Sequence, residues 1–167
     1  IADVFKITKA LDRTRPIIDV SGYFHTDETD IVDMHFYEQD AVLFGDFFRE
    51  PKLSEKPESL TAAEYDWKKL YKKGTPLFIS EYGGIGFGNT EDSWGYGNYP
   101  ETQEEFIERY KGLTEALLFN ENIMGFCYTQ LYDVEQETNG LMTYQRVFKF
   151  PPDIIREINT QTAAVEK

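Results

Sequence analysis

The chain has 167 residues, 41% hydrophobic and 16% aromatic, enough apolar material for one domain with a real core and too much for disorder over most of its length. Its formal charge of −13, from 30 acidic and 17 basic residues, argues against nucleic acid or an anionic membrane as partner, since both need clustered lysine and arginine. The single cysteine, Cys127, allows neither an internal disulfide nor a cysteine-based metal cluster, and within the run IMGFCYTQL it reads as a small buried hydrophobe.

In chain order, IADVFKITKALDRTRP has Ile1, Val4, Phe5, Thr8 and Leu11 near helical spacing and is expected to form a helix stopped by Pro16. It carries neither an initiator methionine nor a signal-peptide pattern and reads as the later part of a helix, so a piece of a longer protein is expected. No run reaches the roughly 20 apolar residues that span a bilayer. A cytoplasmic location is the expectation, with a secreted or periplasmic one left open because the N-terminus is not seen. PIIDVSGY, closed by Gly22, and IVDMHFY are two predicted strands. AVLFGDFF fits a short helix, REPKLSEKPESL a charged loop, and TAAEYDWKKLYKKG a helix with a basic last turn and a terminal glycine.

TPLFISEY is the third strand, followed by a glycine-rich loop over 83–100. PETQEEFIERYKGLTEALLFN is a helix with proline at its start, acids in its first turn and apolar Phe106, Ile107, Tyr110, Leu113 and Leu117. IMGFCYTQLY is the fourth strand, Asn139-Gly140 carries turn chemistry, and PPDIIREI opens a last helix before a tail expected to fray. Two of the strands, over 77–81 and 124–131, are near-continuous apolar runs, which predicts burial on both faces in a parallel sheet. Four strands with helices between them fit a small open α/β sheet or half of a (β/α)8 barrel. In either, function gathers at the C-terminal strand ends.

Those ends present Ser21-Gly22-Tyr23, His35-Phe36-Tyr37-Glu38, Glu81-Tyr82 and Tyr128-Thr129-Gln130, acids and rings without lysine or arginine. Rings pack on sugar C–H faces and carboxylates bond hydroxyls, so the set suits an uncharged polyhydroxylated ligand. Phosphate would call for a glycine-rich helix start and cations, and neither motif is present. Glu81 stands out because an apolar run precedes it and two glycines follow, leaving room for a substrate. Tyr37 and Tyr128 by themselves would be core aromatics with a satisfied hydroxyl. His25 and His35 are poorly spaced for a metal, and no metal or cofactor is expected. Trp94 offers a mobile aromatic contact from the loop.

The segments ALDRTRPIIDVSGY, TDIVDMHFYEQD, PLFISEYGG and GFCYTQLYDVEQETNGLMTYQRVFKF resemble, in order, the catalytic barrel of glycoside hydrolase family 2, with LDRTRP and SEYGG the most specific pieces. The resemblance implies the C-terminal half, strands five to eight, of a TIM (β/α)8 barrel over residues 1–160, with 161–167 a flexible tail. It implies a retaining β-glycosidase with Glu81 as nucleophile and Tyr37 donating the hydrogen bond that holds it ionised and aimed. His35 falls at a polar substrate contact and Tyr128 at a wall of the sugar pocket; Gln130, Trp94 and Asn139 complete the substrate-binding set.

A retaining enzyme also needs a second carboxyl about 5 Å from the nucleophile to protonate the leaving oxygen. In the family this is a Glu after an Asn at the end of strand four, which would precede Ile1. Asn120-Glu121 sits before strand eight, at the opposite end, and cannot serve. The isolated chain is therefore expected to be inactive, with a carbohydrate substrate and the missing N-terminal half of the barrel as partners. Its two unpaired sheet edges favour self-association as a homo-oligomer. The Asn-x-Lys motif of the glucuronidases is absent at ETNGL, Glu135 and Glu137 would repel a uronate, and Gly84 stands where some β-galactosidases have histidine. A neutral β-hexoside, galactoside first, follows. Two other readings are a non-catalytic carbohydrate-binding or pseudoenzyme domain, and an unrelated open-sheet protein, which non-consecutive strands in space would favour.

Overall fold

The computed structural model describes residues 1–22, 24–49, 74–88 and 92–167. The helix expected from Thr61 (apart from Gly74), the charged loop from 50 onward and Tyr23 lie outside the described residues. The first helix, α1 (Ala2–Leu11), ends before Pro16 because Asp12 turns extended. Its carboxylate accepts from the Thr14 amide at 2.8 Å, the Thr14 hydroxyl at 2.6 Å and Arg15 Nε at 2.6 Å. Such a side chain offers the backbone an alternative to the helix. Strand β1 (Val32–Phe36) leads to α2 (Ala41–Arg49), whose first amides, Val42 and Leu43, donate to Asp40 Oδ1 at 2.8 and 3.0 Å.

Strand β2 (Leu77–Gly83) is followed by the long loop, then α3 (Gln103–Leu118), β3 (Ile123–Thr129), α4 (Pro152–Asn159) and a 3-10 turn at Ala164–Glu166. Thr102 caps α3, accepting from the Glu105 amide at 3.2 Å, and Glu104 and Glu105 complement the helix dipole.

The three strands form one parallel sheet in the order β1-β2-β3, each beside its neighbour in sequence. The first expected strand, PIIDVSGY, does not form over its described residues 16–22. Carboxylates of the adjoining segment take its amides: Ile17 N–H donates to Asp30 Oδ2 at 2.8 Å, and Gly22 N–H to both Asp33 oxygens at 3.2 and 3.1 Å. Side-chain acceptors replace the ladder there. Helices α2 and α3 cover the sheet with Phe44, Phe48, Phe106 and Leu113, which pack against Ile79 and Tyr82. Each such buried side chain stabilises by about 1.5–3 kcal/mol. Phe36 stacks on Phe47 at 4.2 Å, and the Tyr82 hydroxyl bonds Thr114 Oγ1 at 2.8 Å beneath the sheet.

Strand β3 departs from the expected two-sided burial. It is the edge of the described sheet, Met124 is 60% exposed, and Cys127 is an exposed free thiol rather than a buried hydrophobe. Met124 and Cys127, on opposite sides of the strand, are left uncovered by any described element, while Phe126 and Tyr128 pack against the core. Beyond β3 the chain reverses at Glu135 (φ +50°), not at Asn139-Gly140. Gly140 is needed for close approach instead: a Cβ there would lie 2.3 Å from the carbonyl carbon of Tyr132. Among the described residues no helix is long and apolar enough to cross a membrane.

Candidate active site

Near its middle, strand β2 has one residue more than the stretch it faces on each neighbour, and β3 makes this up with an extra residue between Ile123 and Gly125. Pairing with β1 runs from Asp33↔Phe78 to His35↔Glu81, and pairing with β3 from Ile79↔Phe126 to Tyr82↔Tyr128. The residue common to both shifts is Ser80, just before Glu81. A bulge breaks the strict alternation of faces and re-aims side chains, and bulges recur beside active sites. Here Ser80 and Glu81, adjacent in sequence, both reach β1: the Ser80 hydroxyl donates to Asp33 Oδ2, and Glu81 meets groups at the strand end.

Glu81 Oε2 accepts from the Tyr37 hydroxyl and lies 3.4 Å from His35 Nδ1. Its side chain is 39% exposed, so a reactant can reach it. Burial, and then the Glu81 carboxylate, push the Tyr37 phenol well above its ordinary pKa, so Tyr37 remains a donor at any working pH. The same hydroxyl is 3.5 Å from Thr129 Oγ1 at the end of β3. On the far side of His35, Nε2 is 3.0 Å from Ser21 Oγ. Ser21, His35 and Glu81 are thus connected as in an acyl-transfer triad. However, the backbone donor beside Ser21, Gly22 N–H, points to Asp33 and gives an oxyanion nothing.

The glycines after Glu81 make room for rings, not for a substrate as the sequence suggested. At Gly83 (φ +82°) a Cβ would lie 2.3 Å from Tyr128 Cε2, and at Gly84 (φ +57°) 2.4 Å from Tyr96 and 2.9 Å from Tyr37. Tyr96 stacks on Tyr37 at 3.6 Å, the rings nearly parallel, and Trp94 meets Tyr96 edge-on at 6.0 Å. Trp94 is 45% exposed, yet its backbone is tied to the segment after β3 through Gln136 O at 2.8 Å and Thr138 N at 3.0 Å.

Glu81, Tyr37 and His35 form one cluster, and Trp94 joins it through Tyr96. Tyr128 packs behind Gly83, its hydroxyl donating to Asn139 O at 3.1 Å. Asn139 is fully buried and donates to Glu137 Oε1 at 3.0 Å. Asn139 Oδ1 and Gln130 Nε2 are the two buried side-chain polar atoms that lack a partner among the described residues. Asn120-Glu121 lies at the entry to β3, the opposite end from Glu81. Sequence reasoning missed Tyr96, Ser80 and Asp33. Only Asp33 left a signal, as a charge inside the apolar run IVDMHFY that is 0% exposed. Among the described residues no group of three or more His, Cys, Asp or Glu is arranged to hold a metal ion.

No family model matches the sequence, and no curated protein matches it. Solved structures do. A β-D-glucuronidase from Dictyoglomus thermophilum superposes with a TM-score of 0.61 at 19% identity, over 99% of this chain and 29% of that one. A GH2 β-galacturonidase from Eisenbergiella tayi, bound to glycerol, gives 0.66 at 19% identity over 97% and 30%. A β-glucuronidase from an uncultured Clostridium gives 0.61 at 15% identity over 96% and 29%. At these identities what is shared is the fold: that of part of a glycoside hydrolase family 2-like domain. The chain spans under a third of the length of the structures it matches.

Proposed function

We propose that this chain is the nucleophile-bearing half of a (β/α)8 barrel in a retaining β-glycosidase. The observation that carries the reading is the Tyr37–Glu81 hydrogen bond at the C-terminal end of adjacent parallel strands, with an exposed carboxylate at its centre. The consecutive strand order, and the fold shared over nearly the whole chain with glycoside hydrolase structures, support it.

In this reading Glu81 attacks the anomeric carbon and forms a glycosyl ester as the leaving oxygen takes a proton from a second carboxyl; water then cleaves the ester. Tyr37 holds Glu81 toward the sugar and cannot compete as an anion. Described acids near the strand ends are engaged elsewhere: Glu38 with the Gln39 and Asp40 amides, Asp133 with Lys149, and Glu137 with Asn139. The proton donor comes from another strand end of the barrel, and the isolated chain does not turn over.

The groups gathered at Glu81 are hydroxyls, an imidazole and rings. Cations of the loop after β3 are engaged, Lys149 with Asp133 and Arg146 over the Tyr132 ring at 3.8 Å. A neutral β-hexoside, galactoside first, fits this charge pattern. The second reading is a β-uronide, favoured by the names of the structural neighbours.

The test is a 2-deoxy-2-fluoro-β-galactoside with an activated leaving group, applied to the full-length protein and followed by peptide mapping. A label on Glu81, and loss of turnover in Glu81→Gln by at least about 10³-fold, are expected. A label on another residue, or normal turnover by Glu81→Gln, refutes the reading. Faster labelling by the corresponding fluoro-glucuronide would favour the uronide.

A further inference from the structure

Behind the bulge lies a second cluster that the proposed reaction does not use. His25 Nδ1 is 2.7 Å from Asp19 Oδ1 and its Nε2 is 3.0 Å from Asp33 Oδ1, with the imidazole 1% and both carboxylates 0% exposed. A neutral imidazole has one N–H and could donate to only one of them. The Asp33 amide also points at Nε2, at 3.1 Å, and a neutral ring would accept from it. A buried carboxylate at each ring nitrogen favours the doubly protonated ring instead, a carboxylate–imidazolium–carboxylate chain. Burial by itself would lower the imidazolium pKa, but the Asp33 and Asp19 carboxylates outweigh it and raise it to about 9. Asp19 is fixed in turn by the Thr26 amide, which donates to Oδ2 at 2.6 Å.

Asp33 has two further arms. Gly22 N–H donates to its carboxylate, and the preceding residue, Ser21, bonds His35 Nε2 at 3.0 Å. Ser80 also donates to Asp33, and the next residue is Glu81. One buried anion therefore anchors both the loop that orients His35 and the bulge that presents Glu81. A Ser21 hydroxyl donating to Nε2 leaves the His35 proton on Nδ1, the nitrogen that faces Glu81 at 3.4 Å.

We infer that Asp19, His25 and Asp33 are positioning residues, a buried ionic clamp that sets where Glu81 and the Nδ1–H of His35 point. The inference rests on the reading of Glu81 as nucleophile. An ion cluster is not needed for stability as such, because apolar residues of similar volume often serve as well. This one ends on Ser80, the residue before the reactive carboxylate, and on Gly22, whose neighbour Ser21 bonds His35.

The experiment uses the full-length protein and a chromogenic nitrophenyl β-galactoside that turns over, with His25→Gln and Ser21→Ala compared with wild type. His25→Gln is expected to lower kcat roughly 10- to 100-fold with KM changed less than about threefold, the pattern of a misplaced nucleophile. The exposed Ser21→Ala is expected to lower kcat about 3- to 10-fold without loss of thermal stability and to shift the pH profile of kcat/KM. In wild type, nitrogen NMR should show both His25 ring nitrogens protonated at pH 7.5. Should His25→Gln fail to fold, Ser21→Ala and the NMR signature decide. A neutral His25, or both variants matching wild type while Glu81→Gln is dead, overturns the clamp and leaves the nucleophile standing. A fully active Glu81→Gln removes the reading beneath it instead.

Discussion

Two buried ionic clusters flank β2, and they grip different things. On the side of the long loops, Lys149 Nζ donates to Asp133 Oδ1 at 2.7 Å and to the carbonyls of Phe87 and Thr138, each at 3.0 Å. Asp133 also accepts the Gly140 amide at 2.9 Å. This cluster ties the loop after β2 to the loop after β3 through backbone atoms. On the β1 side, His25 joins two carboxylates, one of which is shared with Gly22 and with Ser80, the residue before Glu81. A cluster that holds carbonyls sets the course of loops. One that ends beside the reactive carboxylate also sets its direction.

The largest effect that would test this contrast is on Lys149. Lys149→Met leaves the Asp133 carboxylate buried beside Phe87 O and Thr138 O without a cation, and breaking a buried pair in this way costs about 3–5 kcal/mol. Denaturant unfolding should show the midpoint falling at constant slope, while kcat per folded molecule stays within about twofold. A variant that keeps its stability and loses kcat would make the two clusters equivalent.

The next effect is pH dependence. The imidazolium of His25 has its pKa raised from 6.5 to about 9, so its stabilisation is complete below pH 6.5 and is lost as pH rises through about 9. The size is roughly 3 kcal/mol, shared with the two carboxylates. Burial raises the Asp19 pKa, but the Thr26 amide and His25 outweigh it and bring it down to about 2. Its contribution is therefore present above pH 3.8 and lost as pH falls through about 2. Thermal melts should be flat between about pH 4 and 6.5 and decline toward pH 9. In His25→Gln the alkaline decline should flatten, and an unchanged alkaline limb would show that the ring is neutral in the fold.

Much of this was legible in the sequence. The parallel sheet followed from apolar runs separated by helices, α3 from the proline and acids at its start and its apolar stripe, and Glu81 from a carboxylate closing a buried run. The Tyr37–Glu81 contact came from the resemblance, and strand register alone would not have yielded it, because a bulge shifts β2 by one residue and bulges leave no mark in composition. PIIDVSGY has the composition of a strand, but its amides answer to Asp30 and Asp33, acceptors that only the folded chain brings near. Gly83 and Gly84 were read as clearance for a ligand because sequence does not tell which side chain will occupy the space a Cβ would have filled. Tyr96 was hidden for the same reason, since its partner Tyr37 is 59 positions away (96 − 37), just past the end of β1.

The smallest change is the most discriminating. Ser80→Ala removes one hydroxyl from Asp33 and leaves the carboxylate to His25 and the Gly22 amide, so the clamp remains charged and buried. The loss of a hydrogen bond to an ionised group corresponds to about 1.5 kcal/mol of stability, a fraction of the Lys149→Met effect. Its reach into catalysis should be larger in proportion: kcat on the galactoside down roughly tenfold with KM near wild type, because the bulge that carries Glu81 loses its tether to β1. A Ser80→Ala enzyme with full kcat would mean that the clamp acts on the site through Ser21 and His35 alone. The contrast between the two clusters would then narrow to a single hydroxyl.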